Sequence, residues 1–109
     1  MSAQRVHGQP HSGDVTQLAE EFGRLAASIE GRQSADAIRE IVRTTKAMCA
    51  TASRTSSGDM GVLLTNVQTA LETWARVWPR LGSQPEFRQA VTREARLWEK
   101  TLRTLAVHD

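Results

Sequence analysis

SQPEFRQAVTREARLWEKTLRTLAV, residues 83–107, is the stretch whose reading decides the fold. It opens with Ser83-Gln84-Pro85-Glu86, the pattern of a capping box. A hydroxyl can accept from an orphan amide of the first turn, and a glutamate three residues on can reach back to the start. Proline sits in the first turn, where its missing donor costs little. Phe87, Ala90, Val91, Ala95, Trp98, Leu102 and Leu105 then recur at three- and four-residue steps, which collects them on one side of a helix. That side is wide. Ala90 and Leu97 flank it on one edge, Ala95 and Leu102 on the other, which is more apolar width than a solvent-facing bundle helix needs.

Three more helical stripes lie upstream. Met60, Leu63, Leu64, Val67, Ala70, Leu71, Trp74 and Trp78 form one that starts after Asp59. Pro79 predicts its end or a kink at Trp78. Between Met60 and Leu71 it carries no charge, only Thr65, Asn66, Gln68 and Thr69 at polar positions. Such a surface tolerates burial, so this helix is either the most central or part of an interface. Ile38, Ile41, Val42, Thr45, Met48, Cys49 and Ala52 form another stripe, from an N-cap near Ser34 to the turn residues TSSGD at 55–59. Val15, Leu18, Ala19, Phe22, Leu25, Ala26 and Ile29 form the first, from an N-cap at Asp14 to a C′ stop at Gly31.

Residues 1–13 (MSAQRVHGQPHSG) lack periodicity and are expected to be a disordered tail. No strand alternation and no repeat occurs, and the connections are short. The expected fold is all-α, an up-down-up-down four-helix bundle formed by residues 14–109 as a single domain. A three-helix core with a loosely packed first helix, or helices exchanged within a dimer, are the alternatives.

Composition sets bounds on function. The chain of 109 residues is one domain in size, with 39% hydrophobic and 24% charged residues, as in globular proteins. A net charge of +2 is too small to argue for nucleic acid by itself. Twelve of the 14 basic residues are arginine, which the codon bias of a GC-rich genome explains more simply than a demand for bidentate contacts. Cys49 is the only cysteine, so no intramolecular disulfide is possible. No apolar run approaches the ~20 residues that span a bilayer, and Met1–Pro10 has no apolar signal region. A cytoplasmic protein with no membrane partner is expected.

Site chemistry is sparse. His7 and His11 are four apart, but Gly8 and Pro10 oppose a helix there, and a four-ligand zinc set is missing. No metal, cofactor or catalytic residue is expected. Cys49 sits mid-stripe without a neighbouring base and reads as a packing residue. Gly58-Asp59-Met60-Gly61 opens a helix, yet Asp59 would repel an anion. Glu94 falls beside the arc of Phe87, Val91, Trp98 and Leu105. It is expected to be partly desolvated, and so to be paired with a base or raised in pKa.

Arg93, Arg96, Lys100 and Arg103 form a basic surface opposite the apolar side. Residues 76–109 hold seven basic and four acidic residues, so the positive charge is local. No aromatic interleaves this stripe, which speaks against base stacking. Trp74, Trp78 and Trp98 either pack between the third and fourth helices or join Leu97 and Leu102 as interface anchors.

The leading expectation is a non-enzymatic interaction module that self-associates or binds another protein. One alternative is a small-molecule or enzymatic site around Glu94 inside the bundle. The other, less favoured, is weak nucleic-acid binding through the basic stripe.

Overall fold

The structure is a computed structural model, and it describes residues 12–108. The described residues form four helices and no strand: α1 (Ser12–Glu30), α2 (Ala35–Arg54), α3 (Gly58–Leu81) and α4 (Pro85–His108). The all-α four-helix arrangement expected from the apolar periodicity is therefore found. Of the expected tail, residues 1–11 lie outside the described residues, and the His7/His11 pair lies with them.

The helix ends follow local chemistry, with four departures from the sequence reading. Ser34 caps α2 as expected, its Oγ accepting from the Ala37 amide at 3.1 Å. Asp14 is not a cap, because α1 begins at Ser12 and places Asp14 inside the first turn. Pro79, expected to end or kink α3, does not end it, and the helix runs on to Leu81. The missing Pro79 amide forfeits one bond near the helix end, and the Gly82 amide closes the last turn on the Trp78 carbonyl at 2.8 Å. α4 begins at Pro85, so the cap position falls to Gln84, one residue past the expected Ser83. The Gln84 carbonyl accepts from the Arg88 amide at 3.0 Å.

α1 stops one residue later than its glycine suggests. The Arg32 amide bonds the Ile29 carbonyl at 3.0 Å, and the Gln33 amide bonds the Ser28 carbonyl at 3.1 Å. That paired pattern is a Schellman motif, and its left-handed residue is Arg32, at φ 61°. Gly31, the expected C′ residue, is still within the helical hydrogen-bond pattern through the Ala27 carbonyl. An arginine thus holds the conformation that glycine adopts at least cost.

α1 is the most deeply covered helix. Val15, Leu18, Ala19, Phe22, Leu25 and Ala26 are each 0% exposed. The alternative of a loosely packed first helix is overturned, and of the two readings offered for α3, most central or part of an interface, the first is not found. α1 packs most extensively on α4, then on α2, while α2 packs on α3. α3 and α4 touch only sparingly. α1 passes α4 at Gly23, where a methyl group would meet only the movable carboxylate of Glu99, with Oε2 at 2.7 Å. Glu30 beside Arg96 and Gly23 beside Glu99 make these two helices antiparallel. Contacts of Ala35 with Trp78 and of Cys49 with Leu64 do the same for α2 and α3.

Candidate functional site

The tryptophans are mostly spent on the core. Trp74 is 6% exposed and meets Phe22 of α1 edge-on, with centroids 6.3 Å apart. Trp78 is 2% exposed, and its Nε1 donates to the Ala35 carbonyl at 3.2 Å. Its ring lies 5.5 Å from Phe87, and the Arg88 guanidinium sits 5.9 Å from the ring centroid. Trp78 packs against Phe87 and Arg88 of α4, as expected for an α3–α4 seam, but only at the turn end, whereas Trp74 meets α1 because α3 and α4 scarcely touch along their length. Leu102 is 0% exposed. Trp74, Trp78 and Leu102 are therefore buried within this chain.

Two of the expected interface residues remain accessible. Leu97 is 60% exposed. Trp98 is half-buried, and its Nε1 is buried without a hydrogen-bond partner among the described residues. The wide apolar side of α4 has thus been divided. Ala95 and Leu102 are buried, whereas Ala90 and Leu97 are left open. On α3, Leu63, Ala70 and Val77 recur every seven residues and are half-buried. Beside them Val62 is 63% exposed, and Thr65, Asn66 and Thr69 are exposed too. The charge-free stretch of α3 is therefore a surface.

Glu94 is exposed, contrary to the expectation of a desolvated carboxylate. It lies at the outer rim of the α4 stripe, where its neighbours Ala90 and Leu97 are open to solvent as well. The angular reading placed it beside the apolar arc correctly but could not tell which edge of that arc is covered.

The basic stripe does not act as one field. Arg96 donates to Glu30 at 2.8 Å and to Glu99 at 3.2 Å, and Arg103 donates to the other Glu99 oxygen at 3.1 Å. Hydrogen bonds donated by Arg96 to Glu30 and then to Glu99 hold its pKa above its ordinary value. These pairs are solvent-exposed, so each contributes only about 0–1 kcal/mol. Arg93 and Lys100 are exposed and meet no carboxylate among the described residues.

A groove of about 920 Å³ runs between the α1–α2 turn and the first half of α4. Among the described residues Arg32, Arg88, Arg93 and Arg96 line it, with Glu30 as the one acidic group and Ile29 as an apolar patch. Arg88 is committed to structure: it donates to the Gly82 carbonyl at 2.8 Å and the Gln33 carbonyl at 3.4 Å, tying two turns together. Arg93 and Arg96 are legible in the sequence as part of the α4 basic stripe, whereas Arg32 and Arg88 are not. No linear pattern joins residue 32 to residue 93; the link is made by the pairing of α1 with α4.

Cys49 is a packing residue with an inert thiol. It is 0% exposed, and its Sγ lies 3.4 Å from the Leu64 carbonyl. Burial, aided by the charge of Glu72, pushes its pKa up from 9.0 to about 11. The folded state therefore keeps this proton at a pH where the unfolded chain has lost it. The associated stability is complete below about pH 9 and disappears as pH rises through about 11. Two pH units at 1.36 kcal/mol each make the loss roughly 3 kcal/mol. Urea titrations at about pH 8 and about pH 11 should show it, and Cys49→Ala should remove most of the difference. An equal pH dependence in both proteins would refute the assignment.

Among the described residues no group of three His, Cys, Asp or Glu could hold a metal, and no helix is long and apolar enough to cross a membrane. No family model, curated protein or solved structure matches the chain.

Proposed function

We propose that this chain is a non-enzymatic interaction module whose first partner is a second copy of itself, docked across the α3–α4 side. The observation that carries this reading is the sparse contact between α3 and α4. Alongside it, Val62 on α3 and Leu97 on α4 are exposed, Leu97 standing among Arg93, Glu94 and Lys100, and Leu63, Ala70, Val77 and Trp98 are only half-covered.

The lack of charge argues for a second copy. In a two-fold interface the same patch meets itself, so a patch with a net charge opposes its own burial. The α3 surface from Met60 to Leu71 has no charge to repel. Its threonine, asparagine and glutamine side chains can each donate and accept, so identical groups can pair. By contrast, the arginine-lined groove on α4 is unsuited to self-pairing. A buried, free cysteine suits a reducing compartment, and on that ground we place the module in the cytoplasm.

Sedimentation over a broad concentration range tests the reading. A monomer–dimer equilibrium is expected, and Leu97→Glu combined with Val62→Glu should give a monomer with unchanged helicity and melting temperature. A wild-type chain that stays monomeric to its solubility limit, or a double variant that still dimerises, would overturn it.

A further inference from the structure

We propose that the arginine groove binds an acidic, extended segment of a partner protein, with Arg32 and Arg93 as the recognition residues. Four guanidinium groups face a groove with one carboxylate, Glu30. Two of them already have work. Arg88 ties the turns together, and Arg96 is shared between Glu30 and Glu99. Arg32 and Arg93 are exposed and meet no carboxylate among the described residues. Arg96 shows the chemistry that the groove supports, since its fork takes two carboxylates at once.

Arg32 carries a further signal. Its left-handed backbone, at φ 61°, is the conformation glycine takes most cheaply, and the preceding residue is itself glycine. The residue at this strained position is one of the four arginines that line the groove.

The shape selects the occupant. From Arg88 to Arg96 the groove follows α4 for about 12 Å, at 1.5 Å per helical residue. That length matches about four residues of extended chain, in which alternate side chains project to the same side about 7 Å apart. The groove is open along its length, whereas small-molecule sites bury most of their ligand. Nucleic acid fits less well. Arg96 and Arg103 of the α4 stripe are already matched by glutamates, which leaves few cations for phosphates. Among the described residues no exposed aromatic side chain borders the groove for stacking. Ile29, Pro85, Gln33 and Gln89 instead offer the mixed apolar and amide surface that suits a peptide.

Fluorescence anisotropy with a labelled oligoglutamate peptide of about six residues, at low salt, tests the proposal on the full chain. Saturable binding is expected, weakened roughly tenfold by Arg93→Glu and by Arg32→Gly. Arg32→Gly should at the same time raise the melting temperature by relieving the backbone, so its loss of binding is not a loss of fold. Arg54→Glu, in the last turn of α2, should bind as the wild type does. The monomeric Val62/Leu97 variant should also bind normally, which separates this site from the self-association surface. Absence of saturable binding, an equal loss in Arg54→Glu, or tighter binding of an oligothymidylate of matched charge would overturn the proposal.

Discussion

Trp78→Ala is expected to destabilise the protein by about 3–5 kcal/mol, the usual range for truncating a large buried aromatic. Trp78 is 2% exposed and is the largest of the fully buried side chains. It joins three helices: it belongs to α3, donates to the first residue of α2, and packs on Phe87 in the first turn of α4. Arg88 lies over its ring and also holds both turns, so the truncation removes the surface on which that guanidinium rests. A domain of this size has roughly 5–15 kcal/mol in total, so the variant should be close to half-unfolded under mild heating. Trp78→Phe keeps most of the apolar surface but loses the bond to Ala35 and part of the ring volume, for about 1–2 kcal/mol. Guanidinium titrations of both variants check this. A Trp78→Ala cost near that of Trp78→Phe would mean that the ring is not the joint described.

Gly82→Ala is the second large effect, expected to cost about 2–3 kcal/mol by overpacking. Gly82 has ordinary helical angles, φ −63° and ψ −15°, so backbone freedom is not the reason for glycine here. The reason is proximity. A methyl group at this position would lie 2.7 Å from Trp78 Cε2, Nε1 and the Trp78 carbonyl oxygen. The indole is packed between helices and cannot turn aside, and the carbonyl is part of the last α3 turn. Relief therefore requires the α3–α4 turn to move, which disturbs Arg88 as well. The two substitutions should be non-additive. In a Trp78→Ala background the ring contact is gone, and Gly82→Ala should cost clearly less than in the wild type. Strict additivity in a double-mutant cycle would show that the clash lies elsewhere.

The sequence made the helices legible because period 3.6 is a local property. Ser34, the stripes of α1 and α2, and the burial of Cys49 all follow from spacing within a single helix. What it did not reveal is which helices are neighbours. Surplus apolar width on α4 was readable, yet only the pairing with α1 determines that Ala95 and Leu102 are covered and that Ala90 and Leu97 are not. The same gap explains Glu94. It also explains the groove, whose arginines come from a turn and a helix 50 or more residues apart in the chain. Pro79 illustrates a different limit. The rule that proline ends helices is a cost, and near a C-terminus that cost is one hydrogen bond, small enough for the packing of Trp78 and Gly82 to outweigh.

The dominance of the α1–α4 pairing has a consequence for how the chain is made. α1 is the first of the four helices to be synthesised, and its principal partner begins 55 residues after it ends. At roughly 5–20 residues per second, the ribosome leaves α1 waiting on the order of 3–10 s for α4. During that interval Phe22, Leu18 and Leu25 have only α2 and α3 to shelter against, while α2 and α3 can already pair through a short turn. The emerging chain is then a hairpin with an oily, incompletely clad leading helix. That is the species a chaperone would meet, and the one most exposed to misassembly at high expression.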